Sequence, residues 1–401
     1  MTKDDQTHQA LIGWIDPPAI LARTRVWSEI NSGTRNLRGL SHVAGLLADA
    51  FSALPGEVAL VDGDTAESVA ADGSVMPLEH GQHLRLIVRP DAPVQMLFTG
   101  HMDTVYPADH AFQHLTWRDD NTLNGPGVAD MKGGLSVMLE ALRVFEATGT
   151  STLGYEVVIN SDEETGSFSS ARLIAEAARG KHAALTYEPA LPDGTLAGAR
   201  GGTGNFSIVV RGRAAHAGRN PGDGRNAVVA ASEIALRLHD ARAPRLAVNP
   251  ARIDGGGPNN VVPDLAVLRV NFRPGDTSEI ERARALIDEV TGAAAARHDV
   301  QVEVHGSFNR PPKPIDEAAA RLFALVKHVG TALDLDIAWR DTGGVCDGNN
   351  IAAAGVPVVD TMGVRGGAIH SSDEYLLVDS LAERAALSAL TIKRIAEGAL
   401  L

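Results

Sequence analysis

The chain has 401 residues, 44% of them apolar and 21% charged, with a formal net charge of -14. That length exceeds what a single core usually holds, so two domains are expected. The acidic balance argues against non-specific nucleic-acid binding, which needs basic patches to displace counterions, and the single cysteine, Cys346, excludes an intrachain disulfide or a cysteine-rich zinc module.

At the N-terminus, "MTKDDQTHQALIGWIDPP" has two early aspartates and a proline pair but no sustained apolar core of the signal-peptide kind. No later stretch approaches the roughly 20 apolar residues of a membrane helix. A cytoplasmic protein with neither a membrane nor a nucleic-acid partner is expected. "QMLFTG" predicts a buried strand, and "GGLSVMLEALRVFEATG" a helix in which Leu135, Met138, Leu139 and Leu142 recur at helical spacing and Gly149 offers a cap. "YEVVIN" and "AALTY" predict further strands. Acidic residues follow each one, Asp162, Glu163 and Glu164 after the first and Glu188 after the second. Strands alternating with helices imply an α/β sheet, whose ligands gather at the carboxyl ends of its strands.

The pattern changes near "AGARGGTGNFSIVVRGRAAH". "NFSIVV", "DLAVLRVNF" and "DVQVEVHG" predict strands, with helices at "AVVAASEIALRLHD" and "SEIERARALIDEV" between them. This reads as a small α+β sandwich inserted into the chain. "NRPPKP" forms a stiff exit from it, because successive prolines hold extended geometry. The expected division is a catalytic domain in two parts, residues 1–200 and 312–401, interrupted by an insert over 201–311.

Five ionisable residues fall at strand ends or in loops: His101, Asp130, Glu164, Glu188 and His370. Taken singly, Asp130 reads as a helix cap, "SDEETGS" as a solvated acidic loop and "IHSSDEY" as a capped turn. Together, two imidazoles and three carboxylates suit a pair of borderline divalent ions, most readily zinc, as in a two-metal hydrolase. Other chemistries are poorly supported. "GPGVAD" has Asp130 where a dinucleotide fingerprint needs its third glycine, and no G-x-S-x-G elbow occurs. Cys346 alone could be a nucleophile.

"GHMDTVYP", "LNGPGVADMKGG", "NSDEETGS", "YEPA", "GRAAHAG" and "GGAIHSSDEY" stand in the order found in the co-catalytic zinc aminoacylase and carboxypeptidase family, which this chain resembles over nearly its whole length. That family includes glutamate carboxypeptidase, acetylornithine deacetylase and succinyl-diaminopimelate desuccinylase. The resemblance implies a mixed-sheet dinuclear zinc-peptidase domain with an inserted lid and dimerisation domain. It implies two zinc ions per chain, with cobalt or manganese able to substitute. Asp130 would bridge them, with His101 and Glu188 on one ion and Glu164 and His370 on the other. Asp103 would orient His101, Glu163 would be the general base, and the peptide after Asp130 would be cis.

In the insert, the resemblance makes His216 a residue that reaches the partner subunit's site in a homodimer. Asn260 and Arg273 would contact substrate, Arg310 would clamp a substrate carboxylate through its guanidinium fork, and Gly343 and Gly344 would line the pocket. Glu188 stands where the family's carboxypeptidases and deacylases carry Glu, and its dipeptidases and aminopeptidases Asp. The implied reaction is hydrolysis of an amide next to a free carboxylate in an N-acyl amino acid or short peptide. A glutamate carboxypeptidase-like enzyme comes first and an N-acyl-amino-acid deacylase second. An inactive homologue acting as a dimeric binding protein would lack a ligand or the base, and neither is missing.

Overall fold

The structure, a computed structural model, describes residues 11–400. The N-terminal stretch read above for export signals therefore lies partly outside the described residues. Among them no helix is long and apolar enough to cross a membrane.

Ten strands organise the fold. In chain order they are β1 (Glu57–Val61), β2 (His83–Val88), β3 (Val94–His101), β4 (Leu153–Asn160), β5 (Ala183–Thr186), β6 (Thr203–Arg211), β7 (Leu246–Gly255), β8 (Leu265–Pro274), β9 (Gln301–Arg310) and β10 (Val358–Val359). The nine helices named here are α1 (Pro17–Ser28), α2 (Leu37–Phe51), α3 (Gly133–Ala147), α4 (Ala171–Ala178), α5 (Ala227–Asp240), α6 (Thr277–His298), α7 (Glu317–Ala332), α8 (Asp347–Ala353) and α9 (Asp379–Ala396).

The central sheet runs β1-β2-β4-β3-β5-β10 and is mixed. Strands β4, β3, β5 and β10 pair in parallel, and β1 and β2 add antiparallel at one edge. A parallel strand is covered on both faces and so needs a continuous apolar run. In β3, Met96 and Phe98 join the core formed with α3 and α9, while Leu97 faces a second layer built by α4, α8 and β10. The register sets His101 opposite Asn160 and Thr99 opposite Thr186, so the ends of β3, β4 and β5 meet at one edge of the sheet.

Residues 203–310 form a separate antiparallel sheet, β7-β8-β6-β9, with α5 and α6 packed on one face. Its own core includes Phe206, Ile208, Val210, Ile234, Leu268 and Ile287. Two features differ from the sequence expectation. The helix expected over 278–290 runs on to His298 through the alanine-rich turn that follows, and β7 was not anticipated. That strand lies at the sheet edge, six of its ten residues are exposed, and it contains Pro250, which an edge tolerates because no ladder donor is needed there.

Candidate metal centre

The carboxyl ends of the parallel strands carry the centre. His101 ends β3, Glu163 and Glu164 form a short 3-10 turn just after β4, and Glu188 follows β5. Asp130 precedes α3, and the peptide between Asp130 and Met131 is cis. The start of α3 approaches β5 closely, since a Cβ on Gly134 would lie 2.1 Å from the Tyr187 carbonyl oxygen. Only glycine allows that contact, which brings the Asp130 turn beside Glu188. His370 arrives from the C-terminal segment with φ at 63°.

All five expected ligands converge. Asp130 Oδ1 lies 3.1 Å from His101 Nε2, and its Oδ2 lies 3.3 Å from His370 Nε2. Glu188 Oε1 is 3.8 Å from His101 Nε2, and Glu164 Oε2 is 3.3 Å from His370 Nε2. One carboxylate thus faces two imidazoles, each with a further carboxylate of its own. Ligand atoms of His101, Asp130 and Glu164 lie within 4.8 Å of one another, as do those of His101, Glu163 and Glu188. Glu163 is therefore as near to His101 and Glu188 as a ligand would be.

The electrostatics fit a cation site. Burial pushes Glu163 up to about 7 and, with Asp130 beside it, Glu164 up to about 8. Burial also lifts Glu188. For Asp130 burial acts upward too, but hydrogen bonds from His101 and His370 outweigh it and hold the carboxyl below its usual range. Contacts with Asp130 and Glu164 raise His370 to about 11. Burial opposes the charged form of His101, yet Asp103, Asp130 and Glu188 hold it well above the ordinary imidazole value. Such a crowd of buried acceptors calls for positive charge, and the donor set of two imidazoles and several carboxylates suits divalent ions of zinc type.

Asp103 touches more than His101. His101 Nδ1 lies 3.0 Å from its carbonyl oxygen and 3.3 Å from its Oδ1. The same carboxylate accepts from the backbone N–H groups of Glu163 and Glu164, both at 3.2 Å, and from Thr34 Oγ1 at 2.7 Å. It therefore ties the end of β3 to the turn after β4.

A supporting residue that the sequence reading missed is Glu374. Its Oε1 accepts from Ala129 N and Asp130 N, each at 3.0 Å, and its Oε2 from Gly127 N at 3.1 Å and Tyr106 Oη at 2.9 Å. This buried carboxylate holds the turn that presents Asp130. The only sequence signal is its place in "GGAIHSSDEY", four residues after His370.

A cavity of about 670 Å³ opens onto Asp130, Glu163, Glu164, Glu188 and His370. Gly343 and Gly344 line it, as does Cys346, alongside Leu191, Leu196, Arg200 and Arg340. Of the remaining expected residues, His216, Asn260 and Arg273 are not among those lining the cavity. His216 is exposed in the insert, its Nδ1 accepting from the N–H groups of Gly218 and Arg219, and Asn260 is exposed nearby, its backbone pairing with Ala217. Arg273 bonds Asn271 Oδ1 at 2.9 Å. Arg310, expected to face a substrate carboxylate, is not among the residues lining the cavity. It is 5% exposed, and its Nη2 lies 2.8 Å from Glu163 Oε1.

The chain is 27% identical over 392 residues to Carboxypeptidase G2 of Pseudomonas sp. (strain RS-16), covering 96% of this chain and 91% of that one. It is 29% identical over 313 residues to a succinyl-diaminopimelate desuccinylase of Psychrobacter arcticus, covering 71% and 74%. A tripeptidase structure from Staphylococcus aureus superposes with a TM-score of 0.73 at 24% identity, covering 96% of this chain and all of that one, a likeness of fold. Residues 97–394 match the model of Peptidase family M20/M25/M40, and the chain, a hydrolase of amide bonds, belongs to that family.

Proposed function

We propose that the protein is a dinuclear metal-dependent carboxypeptidase that releases a C-terminal amino acid from an N-acyl or peptidyl substrate. One observation carries the reading. The two oxygens of Asp130 face different imidazoles, with a further carboxylate on each side and Glu163 alongside. His101, Asp130 and Glu188 would hold one ion, and Asp130, Glu164 and His370 the other; zinc suits these donors, with cobalt or manganese able to substitute. Bound there, the ions supply Lewis-acid polarisation of the scissile carbonyl and lower the pKa of the attacking water.

The side chains do the rest. Glu163 accepts a proton from the water and delivers it to the departing amine nitrogen. Burial raises the Glu163 carboxyl above its ordinary range, which favours its taking up the water's proton. The insert serves as lid and dimerisation domain, with His216 acting in the partner's site and Asn260 and Arg273 contacting substrate. Arg340 on the cavity wall offers local positive charge to an anionic substrate, against a chain of net charge -14, while Arg200 beside it is already paired with Asp360 at 2.7 Å. The near full-length match to Carboxypeptidase G2, together with Glu188, supports release of the terminal amino acid. The desuccinylase match supports a second reading, N-acyl-amino-acid deacylase, in which the same amide is cut but the acyl side sets specificity.

A panel of N-acyl amino acids and dipeptides, each as free acid and as C-terminal amide, would be assayed on protein reconstituted with zinc, cobalt or manganese. Turnover is expected only with metal bound, about two ions per chain, and only for free acids. Equal cleavage of acids and amides would overturn both readings, and full activity in protein shown to be metal-free would overturn the mechanism.

A further inference from the structure

We propose that Arg310 is the positioning residue of Glu163, an inference that rests on Glu163 being the general base. Arg310 is the last residue of β9, just before Pro311 and Pro312. Its Nη2 lies 2.8 Å from Glu163 Oε1 and donates to the Glu163 carbonyl oxygen and to Ser167 Oγ, both at 2.8 Å. Ser167 in turn donates to Asp347 Oδ1 at 2.5 Å, and that oxygen lies 3.6 Å from Arg310 Nη2. Asn160 Nδ2 holds the other Asp347 oxygen at 2.8 Å. All five side chains are buried.

Arg310 meets the base twice, through charge at its Oε1 and through a hydrogen bond at its own backbone carbonyl. The first contact sets a guanidinium against one Glu163 oxygen and leaves the other for proton transfer. The second fixes the turn that also carries Glu164. Asp347 balances the guanidinium from the far side, so Arg310 need not move away from Glu163 to find a counter-ion. A substrate clamp would instead present its fork to the cavity, and Arg310 does not line it. Its Nε has no protein partner, so a substrate contact is the competing outcome that the experiment has to separate.

The experiment compares Arg310→Met, Arg310→Lys, Glu163→Gln and the Arg310→Met/Glu163→Gln double variant, each metal-reconstituted, on the fastest N-acyl amino acid of the panel. For Arg310→Met the expectation is a kcat lower by about 10²-fold or more, approaching the range that general-base catalysis contributes, with KM within about threefold. Metal content should remain at the wild-type level. Arg310→Lys, which keeps one charged donor, should retain more activity, and added guanidinium should restore part of the Arg310→Met turnover. In the Glu163→Gln background, losing Arg310 should cost little more, because both changes remove the same function. A raised KM with unchanged kcat, or losses that multiply in the double variant, would overturn the proposal in favour of a substrate contact. Near-wild-type turnover by Glu163→Gln alone would instead remove the base assignment, a separately readable failure.

Discussion

Replacing Glu374 tests how the metal centre is held, because this residue touches no expected ligand side chain. Its two oxygens accept from three backbone N–H groups, those of Gly127, Ala129 and Asp130, and from the Tyr106 hydroxyl. Glu374→Ala strands the three amides where little water reaches, and an orphaned buried donor costs about 1–3 kcal/mol. Since about 1.4 kcal/mol is tenfold in an equilibrium, exchange at each amide should quicken by about 10–100-fold. The loosened turn should also weaken metal binding by about 10–100-fold, the usual result of losing a group that orients a ligand. Glu374→Gln should separate the two oxygens. An amide has one oxygen, which should keep Ala129 and Asp130 protected, while its NH2 group opposes the Gly127 donor. Tyr106 can adapt to that NH2, because its one hydroxyl hydrogen can go to the Ser371 carbonyl, 2.8 Å away, and leave its oxygen to accept. Hydrogen exchange on the metal-free protein reads the three amides, and calorimetry reads the metal. Unchanged exchange at all three positions in Glu374→Ala, or metal affinity within about twofold of wild type, would refute this account.

Other perturbations probe the cluster itself. In the metal-free protein Glu163, Glu164 and His370 are raised to about 7, about 8 and about 11 from ordinary values of 4.5, 4.5 and 6.5. The fold therefore keeps protons that an unfolded chain gives up, so this contribution to stability is complete below pH 4.5 and lost as pH rises through 7 to 11. Metal binding should expel those protons and tighten with pH; calorimetry in buffers of different ionisation enthalpy should register release near pH 7, and its absence would count against the site. Glu163→Gln should lower turnover by about 10²–10⁴-fold while metal content stays near wild type, and near-normal turnover would give the proton transfer to another group. Mixing His216→Ala with Glu163→Gln chains should recover partial activity, since a heterodimer assembles one intact site; no rescue in heterodimers seen by native mass spectrometry would sink the shared-site idea.

The parts of the fold that were legible in the sequence are those whose burial leaves a one-dimensional trace. Strands β3 and β4 are covered on both faces, so "QMLFTG" and "YEVVIN" are nearly unbroken apolar runs. The acidic residues just beyond such runs stand out, which is why His101, Glu163, Glu164 and Glu188 were found together. Strands β1 and β7 lie at sheet edges, where β1 is short and only partly buried and the apolar trace of β7 is broken by Asn249, Pro250 and Arg252. The supports of the site were hidden for a different reason. Glu374 reaches the Asp130 amide across 244 residues of sequence, and Arg310 reaches the Glu163 carbonyl across 147. Glu374 acts largely on backbone groups and Arg310 partly on one, and backbone groups are carried by every residue and marked by no motif. Ligand chemistry constrains residue type at each coordinating position, so it leaves a pattern in the sequence. Ligand orientation constrains only where a hydrogen bond ends, and that is written in the folded chain. Glu374 and Arg310 share this logic from opposite sides of the centre, one gripping the turn that carries Asp130 and the other the turn that carries Glu163 and Glu164. Losing either should therefore misplace groups that are still present, which is why their tests read exchange, metal affinity and kcat separately.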